Sequence, residues 1–322
     1  MSARSLETLL AHFKDGDRGA LARLLSVVEN NPELAPRVIS SIYERTGRAQ
    51  IIGITGPPGG GKSTLVNVLI NALRTSGNTV GVLAVDPSSS FSGGATLGDR
   101  IRMLERWEDP GVYIRSLATR GQLGGLSAAI HDATHVLDAY GFDVILVETV
   151  GVGQAEVDVS RVVQTVILLQ VPGLGDSVQT IKAGVLEIAD ILAVNKSDVP
   201  GADALVIDLR HMLRLAAHAD WTPPIVRVVA TTGDGVPDII ERISDHQRYL
   251  RETGAGTVRA SQRARDDVLQ GARRQLDRQL ALRVRDPELD DLIESVAARR
   301  LSPADAVEEV LLRVRQGELP VA

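Results

Sequence analysis

An α/β fold with a mostly parallel sheet flanked by helices is what this sequence predicts, and three observations carry it. Apolar, β-branched runs of five to seven residues recur through the middle of the chain and read as strands buried on both faces. Amphipathic helical patterns separate most of them, as in a sheet wound from βα units. The first run, Ile51 to Thr55, passes through a glycine-rich turn directly into a helix with Leu65, Val66, Leu69, Ile70 and Leu73 at helical spacing.

Residues 1–48 read as a helical extension. Leu6, Leu9, Leu10 and Phe13, then Leu21, Leu24, Leu25 and Val28, then Val38, Ile39 and Ile42 form apolar stripes, and such stripes mark buried faces. Asn31-Pro32 breaks the extension into at least two pieces. Residues 49–250 form the α/β domain, with strands expected at 51–55, 79–85, 112–116, 143–147, 165–171, 191–195 and 225–229. Gly254-Ala255-Gly256 marks a boundary, and residues 251–322 read as a helical interaction or dimerisation arm. There, Asp286-Pro287 and Ser302-Pro303 punctuate long helices.

Bulk properties narrow the function. A net charge of −6 argues against a nucleic-acid partner. The chain has no cysteine, which excludes disulfides and thiolate metal sites. The first ten residues carry charges and lack a sustained apolar region, and no apolar run approaches the roughly 20 residues of a membrane span. A cytoplasmic protein without a membrane partner is expected. Only four lysines (Lys14, Lys62, Lys182, Lys196) stand against 31 arginines, and two of them lie in nucleotide motifs.

Gly56-Pro57-Pro58-Gly59-Gly60-Gly61-Lys62-Ser63, followed by Thr64, fits G-x-x-x-x-G-K-[ST]. With a strand before it and a helix after it, the pattern defines a phosphate loop, and the fold becomes that of a P-loop NTPase. Its backbone N–H groups turn around phosphate oxygens at a helix N-terminus. Lys62 reaches the β/γ-phosphates and the Ser63 hydroxyl ligates Mg²⁺. Asp143 to Val147 is a strand ending in Glu148, with Gly151 three residues on. An acid there holds the Mg²⁺ shell, and the glycine N–H meets the γ-phosphate. Asn195-Lys196-Ser197-Asp198 follows another apolar strand and has the N-K-x-D form of a guanine site. The Asp198 carboxylate can accept two bonds from guanine N1–H and its amine, a donor pair adenine lacks. Asn195 would tie the base loop to the phosphate loop, and the Lys196 stem would cover the ring. Val229-Ala230-Thr231 ends the next strand, where a GTPase sets an N–H on guanine O6. The Gly/Ser-rich run from Asp86 to Asp99 follows a strand and suits a loop that orders on a γ-phosphate. Asp86 and Asp99 are hard oxygen ligands or water-positioning groups there.

VDPSSSFSGGATLGDRIRM, VETVGVGQAEVDV and NKSDVPGA resemble the MeaB/ArgK family, bacterial relatives of the human methylmalonic aciduria type A protein, over nearly the whole chain. The resemblance implies a homodimeric GTPase that turns GTP into GDP and phosphate. It also implies a chaperone of an adenosylcobalamin-dependent acyl-CoA mutase, gating cofactor loading and protecting the mutase. Lys62, Asp99 and Glu148 are the catalytic candidates; Ser63, Asp86 and Glu148 are the metal candidates. A family switch segment matches Val171 to Gly184, keeping Asp176, Gln179 and Lys182, with Ser177 where an acid is usual and Ala183 where a second lysine is usual. A methylmalonyl-CoA mutase or a related acyl-CoA mutase fits equally.

Two other classes share parts of this pattern. A metal-insertion GTPase shares the P-loop and the strand-end glutamate, but this chain has no cysteine, and its six histidines show no H-x-H or H-x-x-H pairing. A small-molecule kinase would have no use for N-K-x-D. An older label of the same family, a kinase of periplasmic amino-acid transport, finds no support in these residues.

Overall fold

In a computed structural model the described residues are 3–86, 109–118, 125–149, 159–173, 186–215, 220–283 and 287–316. The chain divides into two compact units, Met1–Ala260 and Ser261–Ala322.

The first unit is built on seven parallel strands: β1 (Gln50–Thr55), β2 (Val80–Asp86), β3 (Val112–Ala118), β4 (Val144–Glu148), β5 (Thr165–Gln170), β6 (Ile191–Val194) and β7 (Ile225–Arg227). Their spatial order is β3-β2-β4-β1-β5-β6-β7. β1 is central, so the order of winding reverses on either side of it. In such sheets ligands lie in the crevice beyond the carboxyl ends of the strands.

Strand alternation sorts the core into two layers. On β4, Ile145 and Val147 join the cluster made by the N-terminal helices, while Val144 and Leu146 join the cluster on the other side. The first layer packs α1 (Ala3–Lys14), α2 (Arg18–Asn30) and α3 (Ala35–Ile42) with α5 (Gly125–Tyr140). Leu21, Leu24 and Leu25 are completely buried there. Asp17 caps α2 by accepting from Ala20 N–H at 2.6 Å, and the break at Asn31-Pro32 separates α2 from α3. The opposite layer sets α4 (Lys62–Thr75) and α7 (Val236–Glu252) on the sheet. α6 (Ala202–Leu215) covers β6 through Leu205, Val206 and Leu209.

The approach to β1 is fixed by one buried carboxylate. Asp138 on α5 accepts from the N–H groups of Gly47 (2.5 Å), Arg48 (3.1 Å) and Ala49 (2.9 Å). Three satisfied backbone donors compensate a charge that would otherwise be costly to bury. β7 is shorter than the expected 225–229. Val229 leaves the ladder to pair with Asp234 across a tight turn, its N–H donating to Asp234 O at 3.0 Å.

α8 (Ala255–Arg283) begins in the first unit and continues into the second, which also holds α9 (Pro287–Ala297) and α10 (Pro303–Gln316). Ser302 caps α10, its Oγ accepting from Asp305 N–H at 3.1 Å. Val268, Leu269, Leu276, Ile293, Val307, Leu311 and Leu312 are exposed apolar residues of this unit. Among the described residues no helix is long and apolar enough to cross a membrane.

Candidate nucleotide site

The loop from Gly56 to Gly61 leaves β1 between β4 and β5 and turns into α4. Two glycines have no substitute. Gly56 (φ 145°) lies against the Leu169 carbonyl of β5, and Gly61 (φ 91°) lies against Asn195 Nδ2, so that a Cβ at either would collide. Gly60 is buried, Pro57 half-buried, and Pro58 and Gly59 exposed. Lys62, at the first turn of α4, is 7% exposed, and its Nζ donates to Gly56 O (2.9 Å) and Pro57 O (3.0 Å). The ammonium therefore sits inside the curl of the loop, and the loop carbonyls hold it there.

Ser63 Oγ donates to Glu148 Oε1 at 2.5 Å. Glu148 stands at the end of β4, which pairs directly with β1 (Ile54 opposite Glu148). Thr149 fixes this junction, its N–H donating to Ile54 O (3.1 Å) and its Oγ1 to Thr55 Oγ1 (2.9 Å). The hydroxyl and the carboxylate form a hard-oxygen pair at the start of α4, the donor chemistry Mg²⁺ takes. Asp86 ends β2, two positions past Ala84, which pairs with Glu148; the Asp86 side chain lies outside the described residues. Thr64 is half-buried in the same first turn of α4.

The N-K-x-D turn is bonded onto this loop. Asn195 is buried; its Nδ2 donates to Gly60 O (2.8 Å), and its Oδ1 accepts from Ala230 N–H (3.0 Å). Lys196 takes a left-handed conformation (φ 55°) and its Nζ reaches Gly59 O at 3.3 Å. The turn is steadied by Ser197 N–H on Val228 O and Val199 N–H on Lys196 O, both 3.1 Å. Asp198 is exposed at its tip. Val229, Ala230 and Thr231 open the neighbouring turn after β7. Gly56 to Ser63, Glu148, Asn195, Lys196 and Ala230 thus come together at one end of the sheet. Asp99, Gly151, Asp176, Gln179 and Lys182 lie outside the described residues. Thr55 and Thr149 escaped sequence reasoning, although Thr149 directly follows the strand-end acid.

Gly61→Ala tests how much this loop depends on its backbone. A left-handed alanine costs about 1–2 kcal/mol, and displacing Asn195 loses a hydrogen bond worth about 1 kcal/mol. Together they predict guanine-nucleotide affinity lower by about 30–150-fold, measured by titration with mant-GDP.

A phosphate loop between the central strand and its helix, with an N-K-x-D turn hydrogen-bonded to it, defines a P-loop GTPase. Residues 21–284 match the family described as Methylmalonyl Co-A mutase-associated GTPase MeaB, and the chain belongs to that family. A relative from Pyrococcus horikoshii, named as a GTPase, is 48% identical over 317 residues, covering 96% of this chain and 98% of the relative. The GTPase ArgK of Escherichia coli is 35% identical over 260 residues, 78% of each chain. The mitochondrial methylmalonic aciduria type A homolog of Mus musculus is 35% identical over 271 residues, 78% of this chain and 65% of the relative. Among solved structures, that of a LAO/AO transport system kinase superposes with a TM-score of 0.70 at 26% identity, covering 98% and 99% of the two chains. The protein is a GTP hydrolase with a guanine-nucleotide site.

Proposed function

We propose that this GTPase escorts an adenosylcobalamin-dependent acyl-CoA mutase, methylmalonyl-CoA mutase or a relative, using GTP binding and hydrolysis to gate cofactor loading and protect the mutase. The observation that carries the reading is the family match over residues 21–284, whose description names the mutase.

In this reading the chain's own groups position and neutralise, since phosphoryl transfer to water asks for little else. Lys62 exchanges its two loop carbonyls for phosphate oxygens. The N–H groups of residues 59–64, aligned by the loop and the α4 N-terminus, surround the phosphates. Ser63 would hold Mg²⁺, with Glu148 and Asp86 ordering its water shell, and the ion would supply charge neutralisation to the phosphates. Asp99 and the Gly151 N–H are assigned to water positioning and the γ-phosphate. Asp198, Asn195, Lys196 and the turn at Val229 to Thr231 read the base. Asp176, Gln179 and Lys182 belong to the segment that responds to the partner. The exposed apolar side chains of α8, α9 and α10 support a homodimer formed through the second unit, because association would remove that apolar surface from water.

The deciding experiment mixes the full chain with purified adenosylcobalamin-dependent methylmalonyl-CoA mutase. Phosphate release from GTP is expected to rise at least about tenfold, as docking completes the charge neutralisation. Hydrolysis unchanged by methylmalonyl-CoA mutase and by an isobutyryl-CoA mutase would overturn the escort reading.

A further inference from the structure

At the end of the sheet opposite the phosphate loop, three strands start from one buried polar cluster. Gln164, just before β5, donates its N–H to Ile51 O at 2.9 Å and its side-chain amide to Ala49 O at 3.4 Å, which holds the start of β1. Asp190, just before β6, donates its N–H to Val166 O and accepts from Val166 N–H through Oδ2, both at 2.9 Å. Trp221 Nε1 donates to Asp190 O at 2.9 Å. His246 of α7 is completely buried beneath the Trp221 ring. Its Nδ1 lies 2.9 Å from Thr165 Oγ1, and its Nε2 lies 3.2 Å from Asp190 Oδ1. Thr165 is also completely buried, so this hydroxyl, imidazole and carboxylate series meets no substrate and is no hydrolytic triad.

One guanidinium closes the cluster from α8. Arg259 donates to Asp190 Oδ1 (2.9 Å) and to Gln164 O (3.4 Å). It therefore holds the beginnings of β5 and β6 together, and through Gln164 that of β1. Burial raises the Asp190 carboxyl, but His246 and Arg259 outweigh it and hold the group below the usual carboxylate range. The opposite ends of these strands carry the nucleotide site: β1 runs into the phosphate loop and β6 into Asn195.

We propose that Arg259, acting through Asp190, is a positioning residue for guanine-nucleotide retention: it sets the axial position of β6 and hence of the Asn195–Asp198 turn. The inference rests on the assignment of that turn to the base. β6 is four residues long, each completely buried, and spans roughly 13 Å. A packed strand moves as a unit and does not compress. A slip of about 0.5 Å at Asp190 therefore reaches Asn195 and stretches its bonds to Gly60 O and Ala230 N–H toward the limit of hydrogen bonding. Arg259 stands two residues before Ser261, where the second unit begins. A load on α8 from a bound protein would meet this contact before Asp190, Gln164 or His246.

The test compares Arg259→Ala with wild type in the full chain, the side chain being 38% exposed, with folding of the variant checked by circular dichroism. Release of mant-GDP is expected to accelerate about tenfold, while binding of inorganic tripolyphosphate, which has no base, weakens by a smaller factor. Arg259→Lys keeps a positive charge beside Asp190 without the second bond and is expected to fall between the two. Asp190→Asn, checked for folding by circular dichroism, should shift release in the same direction. Folded Arg259→Ala that releases mant-GDP at the wild-type rate, or that loses tripolyphosphate to the same extent as mant-GDP, would overturn the proposal. Asp198→Asn run in parallel separates the two readings. An unchanged preference for GTP over XTP in Asp198→Asn removes the base assignment. A switched preference there, with unaltered release in Arg259→Ala, removes the positioning role alone.

Discussion

Lys62→Ala is expected to lower kcat for GTP at least about 10³-fold in a chain that still folds. The magnitude comes from charge. One unit charge about 4 Å from a phosphate oxygen contributes about 4 kcal/mol at an effective dielectric near 20, which is about 10³ in rate when it acts on charge developed in the transition state. Little solvent screens the ammonium, since Lys62 is 7% exposed and turned inward onto Gly56 O and Pro57 O. The same two contacts make Lys62→Arg an informative companion. A planar guanidinium cannot place a compact charge inside the curl of the loop, so arginine is expected to preserve little of the rate although it preserves the charge. Single-turnover phosphate release measures both variants, with thermal unfolding monitored in parallel. Wild-type hydrolysis by folded Lys62→Ala would remove the lysine from the phosphates.

The parts of this site that were legible in the sequence are those whose chemistry is local. Gly56 to Ser63 announces itself because glycine, lysine and serine must occur at fixed offsets between a strand and a helix. Asn195 to Asp198 does so because the discriminating groups sit within four residues. The strands were legible for a related reason, since runs such as Val144 to Glu148 are apolar on both faces and suit only a sheet covered on both sides. Where a strand stops is decided by the pairing of the residues beyond it: at β7 the Val229–Asp234 bridge captures residues that read as strand by composition.

Contacts between distant residues left no such trace. Asp138 holds three N–H groups about 90 positions away, and nothing about an aspartate on an amphipathic helix distinguishes it from a solvated one. Asp190, His246 and Arg259 come from three separate elements, and each alone reads as an ordinary surface or core residue. The apolar stripes of α1 to α3 announce burial but not the face they cover, which emerges only once β4 has shared its side chains between two layers. The sheet floor was therefore invisible while the sheet top was not, because the top is written in short motifs and the floor in long-range pairs.

Asp198→Asn is expected to reverse the base preference, weakening GTP by up to about 10⁴-fold and making XTP the better ligand. The carboxylate offers two acceptors to the N1–H and amine of guanine. An asparagine keeps one acceptor and replaces the other with donors, which face a donor amine in guanine but an accepting carbonyl in xanthine. The turn gives this change its leverage. Asn195 is bonded to Gly60 O and to Ala230 N–H, and Lys196 is locked in a left-handed conformation, so position 198 cannot drift to relieve a mismatch. The phosphate loop is untouched, which predicts XTP hydrolysis by Asp198→Asn at a kcat close to that of wild type with GTP. Competition of GTP and XTP against mant-GDP gives the affinities, and phosphate release gives the rates. If the variant bound GTP as wild type does, the base would lie elsewhere. If instead it lost both nucleotides alike, Asp198 would matter for the fold of the turn and not for guanine.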